Sequence, residues 1–372
     1  MKISTSKTEL QLALQKLSKA TPARSTLPIL SSVLFDVQES GTVLRATDLE
    51  ITIVANLPTS IEKNGSIAVP LQTLLDVTNE LPESARITLS SDENNKIEMV
   101  TDVGVYDIMG KPAEEFPAIP EVDNRKSVGI SSDALNGLIR NTSFAVSRDE
   151  LKPALTGVLF RFGQAELTGV ATDGHRLVRY VRNDYQADEF LGDVIVPKKF
   201  LSLLSSVLKA DESIQLWMGD NHMTALINGD TYFTRIIDER FPDFDSVIPK
   251  DNDKELIVDR NEILSAVRRV SIFSNRSTHQ IALRLSSDQI KITTEDPEKS
   301  SKAEEQINGE YSGEELVIGY NASYLKDILS HARNDKINIK LKTAISAALF
   351  HPTEDSEHEK LTMLLMPIRL ND

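Results

Sequence analysis

The chain has 372 residues, 40% of them hydrophobic, a formal net charge of −15 and no cysteine. That length exceeds one ordinary core and predicts two or three domains. The missing cysteines exclude a disulfide framework, a thiolate nucleophile and Cys-based metal sites. No apolar run approaches a membrane span, and the start of the chain lacks the basic-then-apolar pattern of a secretory leader, so the cytoplasm is the expected location.

In chain order, a short strand runs into an amphipathic helix over residues 7–19, where Leu10, Leu14 and Leu17 fall at helical spacing. Alternating strands with Gly, Asn or Asp turns follow. A second strand–helix element, "GSIAVPLQTLLDVTNEL" (65–81), precedes further strands. The same order then returns. "LPILSSVLF" (27–35) resembles "KPALTGVLF" (152–160), and "RATDLE" (45–50) resembles "VATDGH" (170–175), both 125 residues apart. "GDVIVPKKFLSLLSSVL" (192–208) repeats the strand–helix element at an offset of 127. "YDIMGKPAEEFPAIP" (106–120) returns as "YFTRIIDERFPDFDSVIP" (232–249).

A more diverged third copy begins at "KELIVDRNEILSAVRRV" (254–270), continues through "HQIALRLSSDQIKITTED" (279–296) and "EELVIGYNASYLKDILSHA" (314–332), and closes with the strand "KLTMLLMPIRL" (360–370). Fixed-period self-similarity of this kind predicts three domains, 1–125, 126–251 and 252–372. Each has two helices packed on antiparallel sheet, an α+β class.

Charge is sorted along this pattern. The six predicted helix segments (5–24, 71–82, 131–148, 198–210, 259–276 and 323–336) sum to +8 in a chain of −15, which leaves −23 elsewhere. Helices favour Glu as much as Lys or Arg. Either the helices form a basic face that meets phosphates without reading sequence, or the choice of segment edges produces the imbalance. Lys16, Arg268, Arg269 and Arg333 are the cations this pattern offers for DNA. No aromatics are interleaved with them, which argues against base stacking on single strands.

"ATDGHRL" (171–177) gathers Thr172, Asp173, His175 and Arg176. A catalytic set is disfavoured: one short loop rarely supplies acid, base and orienting partner together, and the first copy keeps "ATD" (46–48) but follows it with Leu49 and Glu50. Two readings stay open on residues alone. The stretch is a strand end and turn with Gly174 in an unusual conformation, or Gly174, His175 and Arg176 open a pocket for peptides. The six histidines show no metal spacing, His351 and His358 flanking an acid-rich loop. No Gly-rich phosphate loop is present, and no cofactor is expected. An enzyme acting on nucleic acid or sugar would need clustered carboxylates; a pure protein scaffold would leave the helix charge unexplained.

The triplication, "ATDGHRL" in the middle copy and the terminal "MPIRL" (366–370) together resemble the bacterial sliding clamps, the β subunits of DNA polymerase III, over the whole chain. The resemblance implies a non-catalytic processivity factor: a head-to-tail homodimer closed around double-stranded DNA, helices lining the hole. It implies partners carrying clamp-binding peptides, namely the replicative polymerase α subunit, an ATP-driven clamp loader, other polymerases and repair proteins. The location it implies is cytoplasmic, at the nucleoid during replication.

Carried over by position, the peptide cleft comprises Leu155, Thr172, Gly174, His175, Arg176, Leu177, Pro242 and Val247. The last copy adds Tyr324, Leu364, Met366, Pro367, Ile368, Arg369 and Leu370. Such a groove is apolar and adaptable, with Arg and backbone groups fixing peptide orientation. Arg24, Lys198 and Lys199 match DNA-binding positions, and Tyr106, Ile108, Ile272 and Phe273 match the ring joint. The sequence departs from the pattern at Pro153 and Ala154, where relatives carry aromatics, at Leu71, Gln72 and Thr73, where a cation is expected, and in Asn371 and Asp372 beyond the terminal motif.

Overall fold

A computed structural model describes residues 1–22, 24–119, 122, 124–210, 213–354 and 356–370. Among them are six α-helices: α1 (Lys7–Leu17), α2 (Leu71–Glu80), α3 (Ser132–Thr142), α4 (Lys198–Val207), α5 (Arg260–Val270) and α6 (Ala322–His331). They occupy the six predicted segments but end earlier. In α1, α3 and α5 the chain tightens past the last turn into the 3₁₀ segments Ser18–Ala20, Ser143–Ala145 and Ser271–Phe273.

Helix starts follow local chemistry. Ser6 Oγ accepts the Glu9 amide of α1 at 3.2 Å while the Glu9 carboxylate accepts the Ser6 amide, a reciprocal capping box. Asp259 caps α5 and Asn321 caps α6 through their side-chain oxygens. The apolar face of α1 (Leu10, Leu14, Leu17) is fully buried. Phe35 and Phe160, 125 residues apart in matching strands, are both fully buried as well.

The chain forms two compact units. The first comprises Met1–Ser132, Asp188–Phe190 and Ser206–Ile236. It holds a five-stranded sheet whose edges are Ser60–Lys63 and Val105–Met109, and an eight-stranded sheet. Four strands of the larger sheet belong to the first repeat and four to the second, and they meet where Thr231, Tyr232, Phe233 and Thr234 pair antiparallel with Val54, Ile53, Thr52 and Ile51. The second unit comprises Asp133–Ala187, Leu191–Ser205 and the chain from Ile237 onward. It holds a four-stranded sheet with Ser301–Asn308 at one edge and a nine-stranded sheet. There the seam between second and third repeats is the antiparallel pair Arg176–Arg182 and Glu359–Leu365.

Neighbouring repeats are therefore sewn into common sheets, and a compact unit contains parts of more than one repeat. Period-2 patterning tells which face of a strand is buried but not which strand lies beside it, so this sharing is absent from the sequence signal.

One ion pair braces the first seam. Lys16 Nζ of α1 lies 2.6 Å from Asp230 Oδ2, whose other oxygen accepts the Asn56 amide at 3.2 Å. Asp230 is buried and Lys16 is partly open to solvent. Removing the cation leaves a buried carboxylate with one fewer donor. Lys16→Met should destabilise this unit by about 1–2 kcal/mol, after discounting for the exposed ammonium. Thermal unfolding of the variant beside the parent chain measures it, and an unchanged midpoint would mean that water replaces the lysine without loss.

Candidate functional site

The turn after strand Leu167–Thr172 is fixed by its own polar side chains. Thr172 Oγ1 donates to the Arg176 carbonyl at 2.6 Å and accepts the Gly174 amide at 3.1 Å. Asp173 Oδ1 accepts the amides of His175 and Arg176 at 2.9 and 3.0 Å. The first repeat builds the same turn: Thr47 Oγ1 donates to the Ile51 carbonyl and accepts the Leu49 amide, and Asp48 Oδ1 accepts the Glu50 and Ile51 amides. Gly174 has φ +89° and Leu49 φ +76°, so both turns demand a left-handed residue. Thr-Asp is thus a turn-forming pair in both copies. Asp173 spends its oxygens on the turn and on Arg176, and the group of His175 it holds is the backbone amide.

Arg176 is only 7% exposed. Its Nε donates to Asp173 Oδ2 at 3.0 Å, Nη1 to Asp327 Oδ2 at 2.6 Å and Nη2 to the Phe144 carbonyl at 2.8 Å. The guanidinium also lies 4.7 Å from the Tyr324 ring centroid. Burial, and then the Asp173 charge, push the Tyr324 phenol up. Burial pushes the Lys198 ammonium down, and Arg148 and Arg176 add to that.

The final segment docks beside this turn. Strand pairing sets Arg176 opposite Leu365 and Leu177 opposite Leu364. The Met366 amide then donates to the His175 carbonyl at 2.8 Å, and the Ile368 amide to the Gly319 carbonyl at 2.9 Å. Gly319 is required by that approach: a Cβ there would sit 2.6 Å from the Ile368 carbonyl oxygen and 2.7 Å from Leu370 Cδ2. Beneath lies an apolar cluster in which Leu177 and Leu364 pack with Leu159, Val170, Phe244 and Leu349. Val247 (55% exposed) and Met366 (41% exposed) present apolar surface to solvent, and Pro242 is exposed nearby in the chain. Leu155 is buried; Thr172, Pro367, Ile368 and Leu370 are half-buried; Arg369 is exposed. Asn371 and Asp372 lie outside the described residues.

Sequence models of the DNA polymerase III beta subunit N-terminal, central and C-terminal domains match residues 1–120, 129–243 and 245–369. The chain belongs to this family, the bacterial β sliding clamps. The beta sliding clamp of Vibrio cholerae is 31% identical over 372 residues, all of both chains. That of Pseudomonas putida is 32% identical over 359 residues, 96% of each. The crystal structure of the Pseudomonas aeruginosa clamp bound to griselimycin superposes with a TM-score of 0.91 at 31% identity, covering both chains fully. The Bacillus subtilis clamp does so with 0.93 at 27% identity, also over the whole of both chains. The fold is the three-domain sliding-clamp fold, and clamps of this family are non-catalytic processivity subunits of DNA polymerase III in DNA replication. Among the described residues no helix is long and apolar enough to cross a membrane, and among them no group of three or more acidic or His side chains could hold a metal.

The cations expected on a clamp's DNA face differ in their surroundings. Lys16 is paired with Asp230; Arg269 is held by both oxygens of Glu305 at 2.9 and 2.6 Å; Arg333 is paired with Glu359 and lies over the Tyr180 ring. Arg24, Lys199 and Arg268 are exposed, and Lys198 is half-buried at the start of α4. On α2, Gln72 and Thr73 are exposed where a cation is expected, and Gln72 Nε2 donates to Asp76 at 2.7 Å. Among the joint residues, Ile272 (77%) and Phe273 (45%) stand exposed. Ile108 is buried opposite Ile97 within its own sheet, and Tyr106 is half-buried. The uncovered apolar side chains of the strand Val105–Met109 are Val105 and Met109 themselves. Their presence on an edge strand was not legible from alternation alone.

Asp327, Phe144 and Gly319 also escaped sequence reading. Asp327 lies three residues after Tyr324 on a predicted helix, a spacing that puts both on one face, but nothing in the sequence shows that Arg176 meets them there.

Gly319→Ala should undock the final segment, removing hydrogen-exchange protection from the Met366 and Ile368 amides and destabilising the unit by about 1–3 kcal/mol. Gly174→Ala, whose added methyl meets nothing within 4 Å, should lose only about 1 kcal/mol through backbone strain. Equal protection of both amides in Gly319→Ala and the parent would contradict the close-approach reading.

Proposed function

We propose that two copies of this chain join head to tail into a closed ring of six domains, 1–125, 126–251 and 252–372 in each copy, around duplex DNA. The observation that carries the joint is apolar surface left uncovered at two different places. Val105 and Met109 stand exposed on an edge strand of the first repeat, and Ile272 and Phe273 stand exposed in the 3₁₀ segment that follows α5 in the third. An exposed edge bearing apolar side chains invites pairing, and two unlike ends give a heterologous contact that forms a ring when its rotation closes. Ile108, buried in its own sheet, supports the joint from behind.

Arg24, Lys198 and Lys199, which match basic positions of the family, are the first candidates for phosphate contact, with exposed Arg268 beside them. The carboxylates that hold Lys16, Arg269 and Arg333 reduce what those three contribute. Phosphate contact alone prefers no position on DNA, which permits sliding. The cleft around Val247, Met366 and the Leu177–Leu364 cluster takes an extended peptide with one or two apolar anchors from the replicative polymerase α subunit, the clamp loader, and other polymerases or repair proteins. Tethering through it raises the effective concentration of polymerase at the primer end. Opening falls to an ATP-driven loader, and the ring works in the cytoplasm at the nucleoid.

Sedimentation velocity tests the joint. The parent chain should sediment at twice the chain mass, and Ile272→Glu combined with Phe273→Glu should shift it to the single-chain mass with its secondary structure intact. A dimer that survives both substitutions would place the joint elsewhere.

A further inference from the structure

Five flat groups touch one another in order at the cleft wall. The His331 ring stacks on Phe144 with centroids 3.8 Å apart and planes 12° apart. The Arg176 guanidinium lies over Phe144 at 5.4 Å and over Tyr324 at 4.7 Å. The His175 ring stacks on Tyr324 at 5.7 Å and 18°. Three elements supply them: the 172–176 turn, the 3₁₀ segment Ser143–Ala145, and α6, which carries Tyr324, Asp327 and His331.

The middle member is fixed on every nitrogen. Asp173 belongs to the same turn as Arg176, so its bond cannot tie that turn to another element. The bonds to Asp327 and to the Phe144 carbonyl do so. A guanidinium so enclosed has little surface left for a ligand, whereas His175 at the end of the series is an exposed residue.

We propose that Asp327 and Phe144, outside the cleft lining, are its positioning residues: through Arg176 they lock the turn to α6 and so set the Tyr324–His175 pair that a bound peptide meets. Arg176 is then a strut of the cleft wall, not a direct peptide ligand. This rests on reading the cleft as a peptide site.

A buried donor that loses its acceptor is costly, and the far end of this pair is partly open to water, which softens the effect. Asp327→Asn keeps an oxygen in place and should weaken peptide binding about threefold, whereas Asp327→Ala should weaken it about tenfold.

The test uses the full chain labelled with ¹³C-histidine, the His175 ring signal being assigned by its loss in His175→Gln. Affinity is read in parallel with a fluorescein-labelled hexapeptide bearing Leu and Phe anchors. In Asp327→Ala the His175 ring protons should lose the ring-current shift conferred by Tyr324, with Asp327→Asn intermediate, and affinity should fall in step. Val247→Ala should weaken the peptide and leave the His175 signal unmoved. An unchanged His175 signal in Asp327→Ala, or a moved signal with parental affinity, overturns the positioning role. Should the parent chain fail to bind the peptide, the cleft reading falls by itself, and the His175 signal alone decides whether Asp327 sets the pair.

Discussion

The antiparallel pairing of Arg176–Arg182 with Glu359–Leu365 is the constraint on which the site depends. Backbone hydrogen bonds there fix register to a single residue, because a one-residue slip would turn every side chain to the opposite face. With the register set, Leu177 and Leu364 face the same apolar cluster, His175 and Met366 share a hydrogen bond, and two short motifs almost two hundred residues apart become one surface. The turn itself needs no partner, since Thr172 and Asp173 hold it from within. Its orientation towards α6 is a separate matter, settled by Arg176.

Electrostatics in this chain works at two scales. Across the sequence, an acidic total conceals helices that are net basic. At the level of single side chains, several of those basic groups are already satisfied. Lys16, Arg269 and Arg333 find carboxylates 214, 36 and 26 residues away in sequence, and such pairs brace the fold instead of projecting free charge. For Lys198, burial and two neighbouring guanidiniums already disfavour the proton, so an anion arriving there would relieve a local excess of positive charge.

Much of the fold was legible in the sequence because it is repeated. A 125-residue offset carried by "ATD" and by matching buried phenylalanines, with the Val-Pro helix entries 127 apart, specifies the number of repeats, their class and the order of their elements. Helix ends and strand partners were less legible. The final turn of a helix is decided by local hydrogen bonding that spacing does not encode, and alternation sets Ile108 on the face opposite Val105 and Met109 without showing that their strand lies at an open edge. At the site, the motif residues were visible as residue types. Gly319, Asp327 and Phe144 were not, because each matters through a contact made only after distant segments come together.

Topological linkage to DNA is the most direct consequence of a closed ring, and one comparison measures it. The protein is loaded on nicked circular DNA with its clamp loader and ATP, freed of unbound protein by gel filtration, and half the sample is then linearised. A ring held only by enclosure stays on the circles and runs off the linear ends. Equal retention on both forms would show ordinary binding and contradict the encircling ring.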